Sequence, residues 1–470
     1  MPTSAIDSLV FRNMFGDREV RQIWSDEYRT QCYLDWEAAL ARAQAGLGLI
    51  PQDAATEINR VCKVENIDFA RLEEESLNIG YPVLGVVHQI AHLCRGDAGN
   101  WCHWGATTQD VTDSASVFQI RASFDIIANK LDEAIAATAN LARDHRDLPM
   151  AGRSNLQQAV PITFGFKMAR LLATFLRHRD RLKEIRPRIE VFEFGGACGT
   201  LASLGDQGLA VQEALARELG LAQPDIAWHT ERDRIAEAGC FLGLLTGTLA
   251  KFATDLKLMM QTEVGEASEP FAANRGSSST MPQKRNPISC VYITACAASV
   301  RQSVAALLTA MDEDHERATG PWEIEWITLP SIFTLAAGAL NQAVFVLKGL
   351  EVHPDRMRAN LDATHGLIVS EAVMMGLARA LGRDEAHDLV YDLCRKALEQ
   401  NRPLADLLAE QQTVTAHLSR DEIQALTDPA NYLGLAGVMT DQVLAFAPGF
   451  GPNARLRRVV ALMAPLYRQD

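Results

Sequence analysis

The sequence predicts an all-α protein built on a central bundle of long helices, with a smaller helical region at each end. Three observations carry this. Apolar residues recur at three- and four-residue steps through five separate segments. The two-residue alternation of half-buried strands is scarce. The Gly, Pro and hydroxyl residues that interrupt helices gather between those segments.

Taken in order, residues 1 to about 111 read as short helices. Ser25-Asp26 caps a helix through Tyr28–Ala45, which Gly46 and Gly48 end. Asp53-Ala54 opens the next helix, Asn78-Ile-Gly-Tyr-Pro82 is a turn, and Val83–Leu93 is again helical. Trp101–Asp110 reads as a polar, aromatic-rich loop. The first long stripe is Val117, Ile120, Phe124, Ile127, Leu131, Ile135, Thr138 and Leu141. The second runs from Leu172 to Ile189, the third from Phe241 to Met259, the fourth from Ile293 to Met311 and the fifth from Ile332 to Leu350. A helix of about 30 residues is roughly 45 Å long. One chain rarely buries such a length, so self-association is expected. Between the stripes lie four loops, 152–161, 195–200, 228–234 and 314–322. Shorter helices follow Pro354, giving expected domains of 1–111, 112–353 and 354–470.

The composition narrows the function. At 48% hydrophobic and 22% charged, the chain is a globular protein with a large core. A net charge of -14 argues against nucleic acid or an anionic membrane surface as partner. The nine Cys contain no CxxC pair, which points to reduced thiols in a cytosol rather than to disulfides or zinc. No secretory leader is expected from MPTSAIDSLVFRNMFGD, and no membrane span is expected from hydropathy. A zinc-ligand cluster and a glycine-rich phosphate loop are both missing.

One stretch gathers chemistry: Gly276-Ser-Ser-Ser-Thr-Met-Pro-Gln-Lys-Arg-Asn-Pro287. Its hydroxyls and cations exclude it from a core, and Gly276, Pro282 and Pro287 exclude it from a helix. It reads as a loop that sets hydroxyls beside fixed positive charge. That combination suits binding a carboxylate and moving a proton next to it. The stretch resembles the signature loop of the fumarase/aspartase superfamily. His103-Trp-Gly-Ala-Thr-Thr-Gln-Asp110, Phe194–Ala202, Trp228–Arg234, His315-Glu-Arg317, Glu325-Trp326, Thr328-Leu-Pro330 and Tyr432-Leu-Gly434 resemble the 3-carboxy-cis,cis-muconate cycloisomerase and adenylosuccinate lyase branch.

The resemblance implies a homotetramer whose active sites are shared between subunits, with no metal or organic cofactor. It implies a cytoplasmic lyase or cycloisomerase that abstracts a proton next to a carboxylate of a small di- or tricarboxylate and eliminates a β-substituent. A C–N lyase of a substituted succinate is one alternative, and a non-catalytic structural homologue is another. By the same resemblance Ser278 is the catalytic base, with its alkoxide stabilised by loop N–H groups and Lys284. Lys284 and Asn286 hold the carboxylate beside the proton, and Thr107, Thr108, Gln157, Arg317 and Arg232 bind substrate. The chain departs from the family at two positions where a His is common, which here are Asn155 and Gln158. An amide does not titrate near neutral pH, so neither is a general acid. The leaving group then needs no proton, or His103, His229 or His315 supplies one, or the reaction is weakened.

Overall fold

The computed structural model describes residues 4–273 and 275–449. Five helices dominate: α1 Thr108–Asp144, α2 Phe164–Ile189, α3 Asp233–Met259, α4 Ile288–Thr309 and α5 Pro321–Gly349. The stripes read from the sequence lie on them, apart from Met311 and Leu350 just past the ends of α4 and α5, and Val117, Ile120, Phe124 and Ile127 are fully buried. The chain divides into two compact units. The first takes the chain up to Lys130, then His178–Leu249 and Tyr292–Asn341. The second takes Leu131–Arg177, Ala250–Val291 and the chain from Gln342 on.

The first unit is centred on aromatic packing. Phe124 meets Phe241 edge-on at 5.8 Å and Phe333 at 5.3 Å, and Trp24 stacks on Phe333 at 5.4 Å. Such pairs add about 0.5–1.5 kcal/mol each beyond the apolar area they bury. The N-terminal helices form where their caps allow. The Ser25 hydroxyl accepts the Tyr28 N–H at 3.2 Å and opens the helix Asp26–Gly46. Gly80, at φ +91°, closes Phe69–Ile79 before Pro82 starts the next helix.

The second unit holds the chain's clearest departure from helix. The stretch 152–161, expected as a loop, lies within an antiparallel hairpin of β1 Pro149–Ser154 and β2 Gln157–Thr163. Asn155 and Leu156 make its two-residue turn at φ +50° and +63°. Positive φ at both positions matches the twist of the paired strands. Asn tolerates this conformation, whereas Leu is strained in it. A Cβ on Gly152 would come within 2.6 Å of the Val160 carbonyl oxygen, so the close approach of the strands requires glycine. The C-terminal helices of this unit pack around Val373, Leu377, Val390, Leu393, Leu404 and Leu407.

The hydropathy expectation needs correcting. Helices α3, α4 and α5 are each long and apolar enough to cross a membrane by length and composition alone. The chain reads 327–347 without a charge. Ile332, Phe333, Ala336, Leu340 and Ala343 of α5 are buried inside the protein, and a helix that is apolar all round is what a bundle core requires. Helix α4 differs, with only 28% of its most apolar window buried.

Candidate active site

Helix α1 begins at Thr108, and the loop before it is held from below by Asp110. Asp110 Oδ2 accepts the N–H of Thr107 at 2.8 Å and of Gly196 at 3.1 Å. Its Oδ1 accepts the Gly195 N–H at 2.9 Å and lies 2.7 Å from His229 Nε2. One buried carboxylate therefore ties together the helix start, the glycine-rich loop at 195–196 and the loop before α3. Burial pulls the His229 imidazole down, but the Asp110 hydrogen bond and Glu193 outweigh it, and the net shift is upward. Burial pushes the Glu193 carboxyl up to about 8, against the pull of His229. Asp110, Glu193 and His229 are close enough together to surround a cation. Each Asp110 oxygen already accepts two donors, so an ion there would compete with hydrogen bonds already made.

Arg317 reaches this loop. Its Nε donates to Gln109 Oε1 at 2.6 Å, and its Nη1 donates to Thr107 Oγ1 at 3.0 Å and to the Ala197 carbonyl at 3.3 Å. The fold thus brings together Thr107, Gln109 and Arg317, residues 208–210 positions apart. A hydroxyl and a planar cation side by side can grip a carboxylate.

Arg232 sits differently from its expected role. Its side chain is fully buried. It makes a two-pronged pair with Asp113 at 2.8 and 2.9 Å and another with Glu325 at 2.9 and 2.5 Å. With its donors taken and no exposure, Arg232 supports the site from behind rather than touching substrate. Glu313 lies 3.8 Å from the same guanidinium, and neither of its buried carboxylate oxygens has a hydrogen-bond partner among the described residues. Burial pushes Glu313 up to about 7; Arg232 opposes this, and Glu325, Asp113 and Glu323 add to it.

A carboxyl raised in this way binds its proton more tightly folded than unfolded. Its penalty is absent at acid pH and grows as pH rises from the unfolded carboxyl range through about 7. Glu313→Gln should therefore match wild-type stability near pH 4 and exceed it at pH 8, by on the order of 1–2 kcal/mol. Chemical denaturation at the two pH values checks this, and equal differences at both would refute it.

The Ser278 loop is pinned at its base and open at its tip. Ser277 and Arg285 form an antiparallel bridge. Asn286 donates both its backbone N–H and its side-chain Nδ2 to the Gly276 carbonyl, each at 2.9 Å. Gly276 has φ +68°, and a Cβ there would stand 2.5 Å from the Asn286 oxygen. Arg285 anchors one side through Glu351 at 2.9 Å and the Glu269 carbonyl at 2.8 Å. Within the loop, Ser278 Oγ accepts the N–H of Met281 at 3.1 Å and of Thr280 at 3.3 Å. Two N–H dipoles aimed at one hydroxyl oxygen favour its alkoxide. Lys284 is exposed four residues beyond Thr280.

On the hairpin, Gln157 is exposed and its neighbour turns the other way, as the two-residue period of a strand requires. Gln158 Nε2 donates to the Asn360 carbonyl at 2.8 Å, and its buried Oε1 has no hydrogen-bond partner among the described residues. Neither Gln158 nor the turn residue Asn155 offers a titratable group.

Comparison with known proteins bears on this geometry. A lyase family model matches residues 10–301, and an adenylosuccinate lyase C-terminus model matches 366–443. The chain belongs to the fumarase/aspartase superfamily of lyases. It is 59% identical to trans-aconitate decarboxylase 1 of Mycosarcoma maydis, over 92% of this chain and 88% of that one. It is 46% identical to a 3-carboxy-cis,cis-muconate cycloisomerase of Pseudomonas aeruginosa, over 94% and 98% of the two chains. The crystal structure of 3-carboxy-cis,cis-muconate lactonizing enzyme from Pseudomonas putida aligns with a TM-score of 0.90 at 41% identity, covering 94% of this chain and 100% of that one.

Sequence reasoning about this superfamily enzyme missed two residues. Glu37 is buried on the helix Asp26–Gly46, with its oxygens 2.5 Å from His103 Nδ1 and 3.1 Å from the His103 N–H. Burial lowers the His103 pKa, but Glu37 outweighs it and the net shift is upward. His103 itself stands at φ +57°. Glu193 accepts the Trp228 N–H at 2.6 Å. The one signal for either residue was an acid inside an otherwise apolar stretch, Trp36-Glu-Ala-Ala-Leu40 and Val191-Phe-Glu-Phe194.

Proposed function

We propose that this lyase decarboxylates an unsaturated tricarboxylate of the trans-aconitate type. The observation that carries the reading is Gln158, which cannot give up a proton and is turned inward to Asn360. Carbon dioxide is a neutral leaving group and needs no proton, so a site without an acid at this position loses nothing. The 59% identity to a trans-aconitate decarboxylase supports the same reading.

The chemistry uses the residues expected from the signature loop, with the proton moving the other way. The carboxylate on the saturated carbon leaves as carbon dioxide. Its bonding pair forms the new terminal double bond. The pair of the old double bond moves to the far carbon and spreads into that carbon's carboxylate, which Lys284 and Asn286 hold. Ser278 then gives its hydroxyl proton to that carbon, yielding methylenesuccinate. The N–H groups of Thr280 and Met281 carry the resulting alkoxide until solvent reprotonates it. Thr107 and Arg317, supplied by another copy of the chain in the assembled enzyme, grip a second carboxylate.

A second reading, cycloisomerisation of a carboxymuconate, is favoured by the 46% identity to cycloisomerases. Incubation with trans-aconitate, followed by carbon dioxide release and proton NMR of the product, tests the first reading. Turnover to methylenesuccinate is expected. Turnover of 3-carboxy-cis,cis-muconate with trans-aconitate untouched would overturn it in favour of the second.

A further inference from the structure

A cavity of about 680 Å³ lies in the second unit beside the hairpin. One wall is Leu156 and its strand neighbours, and the other is the 164–177 part of α2 and the 250–259 part of α3. Lys167, Arg170 and Lys251 line it, and Asp255 is the one carboxylate among the lining residues. Lys167 Nζ is 3.2 Å from Asp255, and Lys251 pairs with the same carboxylate. Arg153, also in the lining, is committed to Glu266 at 2.7 and 2.8 Å. The cavity thus holds one acid, paired with two of these three cations, in a protein whose net charge is -14. None of Ser278, Lys284, Thr107 or Arg317 lines the cavity.

Such an excess is costly to hold without a counter-ion. Burial depresses the Lys167 ammonium below the usual lysine range; Asp255 opposes this, and Lys251 and Arg170 repel it further. Arg170 lies one helical turn from Lys167 on the same face of α2 and is exposed, with no acid bonded to its guanidinium among the described residues. Leu156 and Leu258 add apolar surface to the walls, beside the polar Asn155 and Gln261.

We propose that this cavity binds a small multivalent oxyanion, a phosphate or a short polycarboxylate, on Lys167, Arg170 and Lys251. The site is separate from the Ser278 loop and does not depend on which substrate the enzyme turns over.

Isothermal titration of the full-length enzyme with inorganic phosphate, and separately with propane-1,2,3-tricarboxylate, tests it. Both run against chloride at matched ionic strength, in an Arg317→Ala background that weakens binding at the candidate catalytic loop. Saturable binding is expected. Arg170→Ala with Lys251→Ala, two exposed positions, should weaken it by about tenfold, and Lys167→Met should weaken it further. If Lys167→Met fails to fold, the exposed pair still decides. Tighter binding of phosphate or of the tricarboxylate identifies the source of the anion. No binding beyond chloride, or an unchanged Kd in the exposed pair, would overturn the proposal.

Discussion

Ser278→Ala should lower kcat by about 10²–10⁴-fold while leaving KM within a few-fold, because the hydroxyl is asked to move the proton rather than to hold the substrate. The variant should fold normally. Ser278 contributes only its acceptor bonds to Thr280 and Met281 at the loop's open end. The base of the loop is held independently by Asn286 to Gly276 and by Arg285 to Glu351. Unfolding midpoints within about 0.5 kcal/mol of wild type are therefore expected, as for other exposed substitutions. A variant that keeps more than a tenth of the wild-type rate would remove Ser278 from the chemistry. One that loses activity together with stability would recast it as a structural residue.

Asp110→Asn should destabilise the enzyme by about 3–5 kcal/mol, the usual size when one partner of a buried ionic network is removed. The two side chains are nearly isosteric, so the effect isolates hydrogen-bond chemistry. Each Asp110 oxygen faces two donors, Gly195 and His229 on one side and Thr107 and Gly196 on the other. Whichever oxygen becomes an amide nitrogen, two N–H groups then point at a donor instead of an acceptor. The His229 imidazole also loses its nearest negative charge, so its pKa should fall, and histidine NMR reads this directly. A denaturant midpoint that shifts by less than about 1 kcal/mol would mean that the three loops are held by something other than this carboxylate.

Much of the fold was legible because its cause is local. A stripe such as Val117, Ile120, Phe124 and Ile127 needs one buried side to exist, and any partner helix satisfies it. The hairpin at 149–163 escaped notice because its signal is weak. Gln157–Thr163 alternates only partly, and its turn uses Asn155-Leu156 rather than a glycine pair. The Ser278 loop was legible for the opposite reason. Hydroxyls, cations and prolines packed into twelve positions have no use in a core, so their purpose shows without a fold around them.

By itself, then, the sequence determined the helical bundle, the superfamily and the loop that carries Ser278, Lys284 and Asn286, since each rests on residues adjacent or one helical turn apart. Only the tertiary structure decided that Arg232 is buried between Asp113 and Glu325, that Gln158 faces Asn360, and that Asp110 clamps the 195–196 loop and His229. Those roles depend on partners 85 to 202 residues away. A charged or amide side chain has the same chemistry on a surface and in a core. Burial and the distant donors that meet it fix whether it binds a ligand or holds the protein together.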